Sequence, residues 1–309
     1  MKAVRYHSYG DTDVLVHEDV DLPVAGPGQV VVKVAATAFN PVDVAIRAGY
    51  LRQVFPLTLP HIPNFDLSGV ITEIGEGVQT WTEGDKVVGF LPATDPGAAA
   101  EYTLAPAALL TAAPRTVPLA DAAALPAVGL TAWQALYEHA HLRAGRHILI
   151  NGAGGAVGGY ATQLAKRTGA VVTATAGPRS AARIRSYAAD QIVNYTETPV
   201  PQALAGRRFD VVLNLVQTGP HETAQLTNLV ADGGTFVSTT TEAEEPGRGV
   251  RVTRVFARSD AGALAELVAR VDAGTLKIDV ADRRPLADLP AVHDAATTGR
   301  LPGKTILIP

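Results

Sequence analysis

The sequence predicts an α/β protein with two parts: a doubly wound parallel sheet and a smaller, mainly β unit. Three observations carry this. Residues 1–120 hold short extended segments broken by Pro and Gly, whereas residues 122–258 alternate strand and helix. A glycine-rich stretch, "NGAGGAVGGY" (151–160), stands between an apolar run and a helical pattern. The chain has 309 residues, too many for one small core. The expected division is 1–121, then 122–258, then 259–309 as a linking helix and a return to the first part.

The first part takes its strands from "QVVVKVAATAF" (29–39), "DLSGVITEIG" (66–75), "DKVVGF" (85–90) and "AEYTLAP" (100–106). In the second part "HILI" (147–150) reads as a strand, and 156–169 as a helix stopped by Gly169. Then come strand 170–176, helix 179–189, strand 209–216, helix 221–231 and strand 234–240. "GVRVTRVFA" (249–257) reads as the last strand, and 261–274 as a helix. The tail "KIDVADRRPL…GKTILIP" returns to short strands.

Composition narrows the chemistry. Hydrophobic residues are 47% and charged residues 18%, with a net charge of -4, which argues against a general polyanion binder. There is no cysteine, so disulfides, thiolate metal sites and a cysteine nucleophile are absent. "MKAVRYHSYG" lacks an apolar signal core and no 18-residue apolar run occurs, so the expectation is a cytoplasmic chain with no membrane partner.

Five glycines, Gly152, Gly154, Gly155, Gly158 and Gly159, fall within eight positions. The spacing of Gly152, Gly154 and Gly158 is one residue longer than the dinucleotide fingerprint. The physical logic survives: glycine turns tightly, backbone N–H groups approach a pyrophosphate, and a helix N-terminus favours its charge. Ala156 and Val157 open that helix. No Gly-Lys-Ser/Thr follows, so a P-loop is excluded. An NAD site places an acid about 20 residues on. Here no Asp or Glu occurs from Gly155 to Ala189, and the second strand ends in Gly177-Pro178-Arg179. A guanidinium suits a 2′-phosphate, so Arg179, with Arg183 nearby, predicts NADPH. Tyr195, closing "IVNYTE", is expected at the same phosphate.

In order along the chain, "GPGQVVVKVAATAFNPVDVAIRAG" (26–49), "PNFDLSGVITEIGEGVQTWTEGDKVVG" (63–89), "ALPAVGLTAWQAL" (124–136), "NGAGGAVGGYATQLAK" (151–166) and "GKTIL" (303–307) resemble one family. It is the zinc-independent quinone oxidoreductases of the medium-chain dehydrogenase/reductase superfamily, the zeta-crystallin group. The resemblance spans essentially the whole chain. It implies a GroES-like catalytic domain, a Rossmann domain and NADPH between them. Zinc relatives read Gly-His-Glu where this chain reads Asn64-Phe65-Asp66, and two of those three are not usual zinc ligands. No metal is therefore expected, and His61 is expected in a plain loop.

The resemblance implies that Asn40 lies by the nicotinamide, that Asp43 positions its loop and that Thr131 faces the ribose. It also places Leu215 and Lys304 at the cofactor. From the residues alone, Asn40 also reads as an Asx turn before Pro41, and Thr131 as a helix N-cap. The chain departs from the family at Ala45, where a tyrosine or lysine is common. Tyr50 is the candidate to fill in, and Leu51, Phe55, Leu125 and Phe256 are expected to line an apolar pocket.

The expected acceptor is a quinone or similar conjugated carbonyl. Alternatives are an enone substrate in an enoyl or alkenal reductase, a tailoring reductase of secondary metabolism, and a non-catalytic NADPH-binding protein. Arg248, Arg251, Arg254 and Arg258 form a basic stripe, but on a strand, and nucleic acid is not expected as a partner. The last strand would be an exposed sheet edge, so a homodimer joined near Val252 is expected, with the arginines pointing to solvent or meeting acids such as Glu244 and Glu245.

Overall fold

The computed structural model describes residues 1–309, which form two compact units. One comprises residues 1–127 and 258–309, the other residues 128–257. The first break falls six residues later than the sequence suggested. Ala123 and Ala124 pack with Ala36, Ala38 and Ile306, so this stretch is core of the β unit.

The β unit is built around the strand Gln29–Ala38. It pairs antiparallel with Asp66–Ile74 and Tyr102–Pro106, and at its far end with Thr305–Ile308. A strand so enclosed has little polar exposure, which explains the near-continuous run of Val and Ala. Lys86–Phe90 and Leu110–Ala112 extend the sheet on one side, and Asp282–Pro285 ends it on the other. Val30, Val32, Val34, Phe65, Leu67, Ile71, Val87 and Leu91 fill the core. The tail thus rejoins the N-terminal part as its own strand. Helix Ala261–Asp272 is N-capped by Asp260, whose side chain accepts from Ala263 N–H at 2.9 Å. Leu264, Leu267, Val268 and Val271 are its buried face. The region expected as one plain loop around His61 is different. His61 bridges to Tyr6, is buried with its ring edge-on to Tyr6, and burial pushes its pKa down to about 4.

The second unit is a six-stranded parallel sheet in the order Gln191–Val193, Val171–Thr175, His147–Asn151, Phe209–Asn214, Val230–Ser238, Arg251–Arg254. In chain order this is 3-2-1-4-5-6, the Rossmann arrangement, with its crossover reversal between His147–Asn151 and Phe209–Asn214. Helix Ala156–Arg167 buries Tyr160, Ala161, Leu164 and Ala165. Helices Pro178–Ser186 and Pro220–Thr227 each start at a glycine followed by proline, and that proline's missing N–H costs nothing there.

The last strand is an edge, as its sequence suggested, but only four residues long. Val255 N–H donates to Ser238 O, and alternate residues share a direction, so Thr253 N–H also faces the sheet. The outward donors are Val252 and Arg254. Arg254 pairs with Glu242 at 3.1 Å, Arg248 with Asp232 at 2.8 Å, and Arg251 donates to Thr235 Oγ1 at 2.9 Å, so none of these bonds is to Glu244 or Glu245. Asp232 and Thr235 lie on the neighbouring strand Val230–Ser238, and Glu242 in the segment that follows it. No helix is long and apolar enough to cross a membrane.

Candidate active site

Two constellations lie in the two units. In the Rossmann unit the glycine turn follows strand His147–Asn151. Gly152 has φ 91°, and a Cβ there would sit 2.7 Å from Val216 Cγ2 and 3.2 Å from Leu215 Cβ. A Cβ on Gly158 would stand 2.4 Å from Ala153 Cα and from Gly152 O. The turn therefore folds back on its own backbone where only hydrogen fits. Gly155 caps helix Ala156–Arg167 without a side chain, so the first helical N–H groups have no side-chain acceptor. A bare turn against an uncapped helix N-terminus fits a dinucleotide pyrophosphate.

The surroundings of the turn sort the predicted residues. Ala156 and Val157 are half-buried on the first helical turn. Leu215 N–H donates to Asn151 O at 2.9 Å, which seats Leu215 against Gly152. Gly177 ends the second strand, and Tyr195 lies over it: a Cβ at Gly177 would be 3.2 Å from the Tyr195 hydroxyl. Arg179 is exposed on the first turn of helix Pro178–Ser186. Arg183 turns inward instead and donates to Gly154 O, so it braces the turn. Thr131 is not an N-cap; it lies inside helix Pro126–Trp133.

Sequence reasoning missed a buried polar line across three strand ends. Gly152 N–H donates to Thr175 Oγ1 at 2.8 Å, and Thr175 donates to Asn151 Oδ1 at 3.0 Å. Asn151 Nδ2 donates to Asn214 Oδ1 at 2.9 Å, and Asn214 Nδ2 to Val216 O at 3.0 Å. The signal was present: "ILIN" and "VVLN" each close an apolar run with a polar residue at the carboxyl edge of a parallel sheet.

In the β unit the constellation centres on Asp66. Its Oδ1 accepts from Ala127 N–H at 2.7 Å, and its Oδ2 from Asn40 Nδ2 at 2.8 Å and Lys304 Nζ at 3.0 Å. Its main-chain oxygen accepts from Thr37 Oγ1 at 2.6 Å. Lys304 also donates to Asn40 Oδ1 at 2.8 Å and Phe39 O at 3.1 Å. Three acceptors satisfy all three ammonium protons. Asn40 is thus held at both amide ends, with a further long bond from Nδ2 to Ala38 O at 3.4 Å. This replaces the expected Asx turn. Asn40 N–H donates to Asp43 Oδ2 at 2.8 Å, which starts helix Pro41–Arg47. Asp66, Asn40, Asp43 and Lys304 are all buried.

Other expected site residues fall elsewhere. Tyr50 is 83% exposed, and Leu125 is wholly buried. Leu51 and Phe55 pack against the β core, and Phe256 is exposed under the Arg254 guanidinium. Asn64 takes φ 66° and donates from Nδ2 to Ala38 O at 3.1 Å. No group of three or more His, Cys, Asp or Glu side chains is placed to hold a metal ion.

Comparison with known proteins agrees with these two units. The alcohol dehydrogenase GroES-like domain model matches residues 26–115, and the zinc-binding dehydrogenase model matches residues 187–307. The chain belongs to the medium-chain dehydrogenase/reductase superfamily, with quinone oxidoreductases among its relatives. It is 40% identical over 223 residues to a chloroplast envelope quinone oxidoreductase homolog of Arabidopsis thaliana, covering 69% of this chain and 68% of that one. It is 32% identical to an NADPH-dependent alkenal/one oxidoreductase of the same plant, covering 100% of this chain and 80% of the relative. The solved quinone oxidoreductase from Coxiella burnetii is 29% identical, with a TM-score of 0.92 over 100% of this chain and 99% of that one.

Asp43 makes a testable point about pH. Burial pushes its carboxyl up to about 7, against the Asn40 N–H and Lys304, which lower it. The folded chain keeps this proton to about pH 7, whereas an ordinary aspartate, as in the unfolded chain, loses it near 3.8. Stability from this group therefore falls as pH rises between those values and is constant above. His61 and His293, held neutral by burial, work in the opposite direction. Asp43→Asn keeps an acceptor for Asn40 N–H and removes the titration. Its melting temperature relative to wild type should rise by several degrees from pH 5 to pH 7.5 and then level off, the histidines cancelling in the difference. A difference independent of pH would refute the raised carboxyl.

Proposed function

We propose that this oxidoreductase uses NADPH to reduce a quinone or similar conjugated carbonyl without a metal. The carrying observation is the glycine turn, where Gly152, Gly154 and Gly158 leave no space for a Cβ, with arginine and no acid between Gly155 and Ala189. The bound cofactor would supply a hydride to the acceptor. Gly152, Gly154, Gly155 and Gly158, with Ala156 and Val157, would hold its pyrophosphate. Arg179 and Tyr195 beside Gly177 would take the 2′-phosphate, and Leu215 and Thr131 would flank the ribose and ring. The similarity to quinone oxidoreductases supports the acceptor class, and so does Asn40, which the family resemblance sets beside the nicotinamide. Alanine at position 45 offers no proton, so the second proton of the quinol would come from water. The Asp66 carboxylate, at the position of a zinc-site glutamate in related enzymes, is already taken by Lys304, Asn40 and Ala127 N–H. That supports metal-free chemistry.

A second reading, an alkenal or enone reductase, is favoured by the 32% identity to the alkenal/one oxidoreductase. A panel separates the two: NADPH oxidation with a benzoquinone, a naphthoquinone, an enone and a saturated ketone, with a strong chelator present throughout. Turnover of the quinones is expected. Turnover of the enone alone would select the second reading, and activity lost to the chelator would overturn the metal-free one.

Cofactor choice has its own test. A charge-assisted hydrogen bond contributes about 1.5–3 kcal/mol. Arg179→Ala should therefore weaken NADPH binding roughly tenfold to a hundredfold and leave NADH binding unchanged, as read by fluorescence titration. Equal losses for both cofactors would show that Arg179 does not read the phosphate.

The short edge strand Arg251–Arg254 supports a homodimer formed by antiparallel pairing of this edge with its copy. Because Val252 N–H faces outward and Thr253 N–H does not, Val252→Pro is the selective probe. Light scattering should give a dimer for wild type and a single-chain mass for the variant, with an unchanged melting profile. A single-chain mass for wild type would defeat the dimer.

A further inference from the structure

We propose that Lys304 is a positioning residue: with Asp66 it grips the Asn40 amide by both ends and fixes the 38–43 segment as a wall of the reaction site. This rests on the reading that Asn40 borders the nicotinamide.

The geometry separates this role from two simpler ones. A lysine that binds a cofactor needs a free donor, and Lys304 has none: Phe39 O, Asn40 Oδ1 and Asp66 Oδ2 take its three protons at 3.1, 2.8 and 3.0 Å. A lysine that gives its proton to a quinol oxygen needs access, and Lys304 is 5% exposed with its head inside this cluster. An asparagine that donates to a substrate needs a free N–H. Asn40 has one proton on Asp66 at 2.8 Å and the other directed at Ala38 O at 3.4 Å. What remains is a closed circuit. Lys304 bonds Asn40 oxygen, Asn40 nitrogen bonds Asp66, and Asp66 bonds back to Lys304.

The circuit joins three distant parts of the chain. Asn40 ends the central strand Gln29–Ala38 and precedes helix Pro41–Arg47. Asp66 opens the neighbouring strand, and Lys304 precedes the C-terminal strand Thr305–Ile308. An ammonium is a point charge with rotatable donors, which suits three acceptors in different directions. Loss of the ammonium leaves Asp66 without its counter-charge and frees the Asn40 oxygen. The Asn40 side chain then has several rotamers open to it, and a wall set by one of them shifts.

Lys304→Met removes the charge at similar length. Where it does not fold at the assay temperature, Lys304→Met with Asp66→Asn removes both charges and takes its place. The first measurement needs no activity. Amide exchange in the cofactor-free chain should accelerate across 38–47 and 64–68 in the variant and stay unchanged across 128–257. Unchanged exchange at 38–47 overturns the clamp. The second is kinetic, with the best acceptor of the panel. Lys304→Met and Asn40→Ala should each lower kcat about tenfold to a hundredfold, Lys304→Met with the NADPH dissociation constant unchanged, and the double variant should be no slower than either single one. Multiplying effects overturn the proposal, as does weakened NADPH binding in Lys304→Met. A wild-type chain that turns over none of the acceptors would overturn the functional reading instead, and the exchange measurement would still decide the clamp.

Discussion

The buried ion pair between Lys304 and Asp66 is the interaction on which the β unit's site depends. Two opposite charges leave water only when hydrogen bonds replace their hydration, and here all three ammonium protons are taken and both carboxylate oxygens accept. Removing one partner of such a pair costs about 3–5 kcal/mol. Because the satisfied pair includes an asparagine amide and a helix N–H, its geometry is transmitted to two backbone segments. One is the Asn40 start of helix Pro41–Arg47, the other the start of helix Pro126–Trp133. The same surroundings keep the neighbouring Asp43 carboxyl protonated to about pH 7. The cluster thus holds one ammonium, one carboxylate and one neutral acid, a balanced set of buried side chains.

The Rossmann unit solves a different problem. Its glycine turn must fold tightly and keep one shape. The tight fold comes from missing side chains at Gly152 and Gly158, where Val216, Leu215 and Ala153 stand in the way of a Cβ, and the shape from polar groups behind them. Thr175 takes the Gly152 N–H, Asn151 and Asn214 tie three strand ends together, and Arg183 bonds Gly154 O. A bare loop without this backing would sample many conformations, since glycine restricts none of them.

Much of the fold was legible because its signals are local. The Val and Ala run at 29–38, the strand–helix alternation after 147 and the five glycines each report their own surroundings. The site was legible in part. Gly152, Gly158 and Gly177 sit where spacing placed them, but Leu125 is core and Tyr50 is exposed. What stayed hidden were pairings over long separations: 264 residues part Lys304 from Asn40, and 26 part Asn40 from Asp66. No periodicity encodes such a meeting. The family resemblance set Lys304 at the cofactor but did not carry its three acceptors, Phe39 O, Asn40 Oδ1 and Asp66 Oδ2. Arg251 and Arg254 were legible as strand residues, but the partners of Arg248 and Arg254 were not: Asp232 lies on the neighbouring strand Val230–Ser238 and Glu242 in the segment after it.

The return of the C-terminus into the first unit also orders events during synthesis. The Rossmann unit is one continuous segment, 128–257, and every strand of its sheet has left the ribosome before the chain ends. The β unit waits. Strand Thr305–Ile308 pairs with Gln29–Ala38, and Lys304 immediately precedes it. Until that segment is made, Asp66 has no counter-charge and the central strand lacks its partner at Thr37 and Ala38. The β unit therefore passes through a stage of synthesis in which its site is open and its strand end is free to pair wrongly.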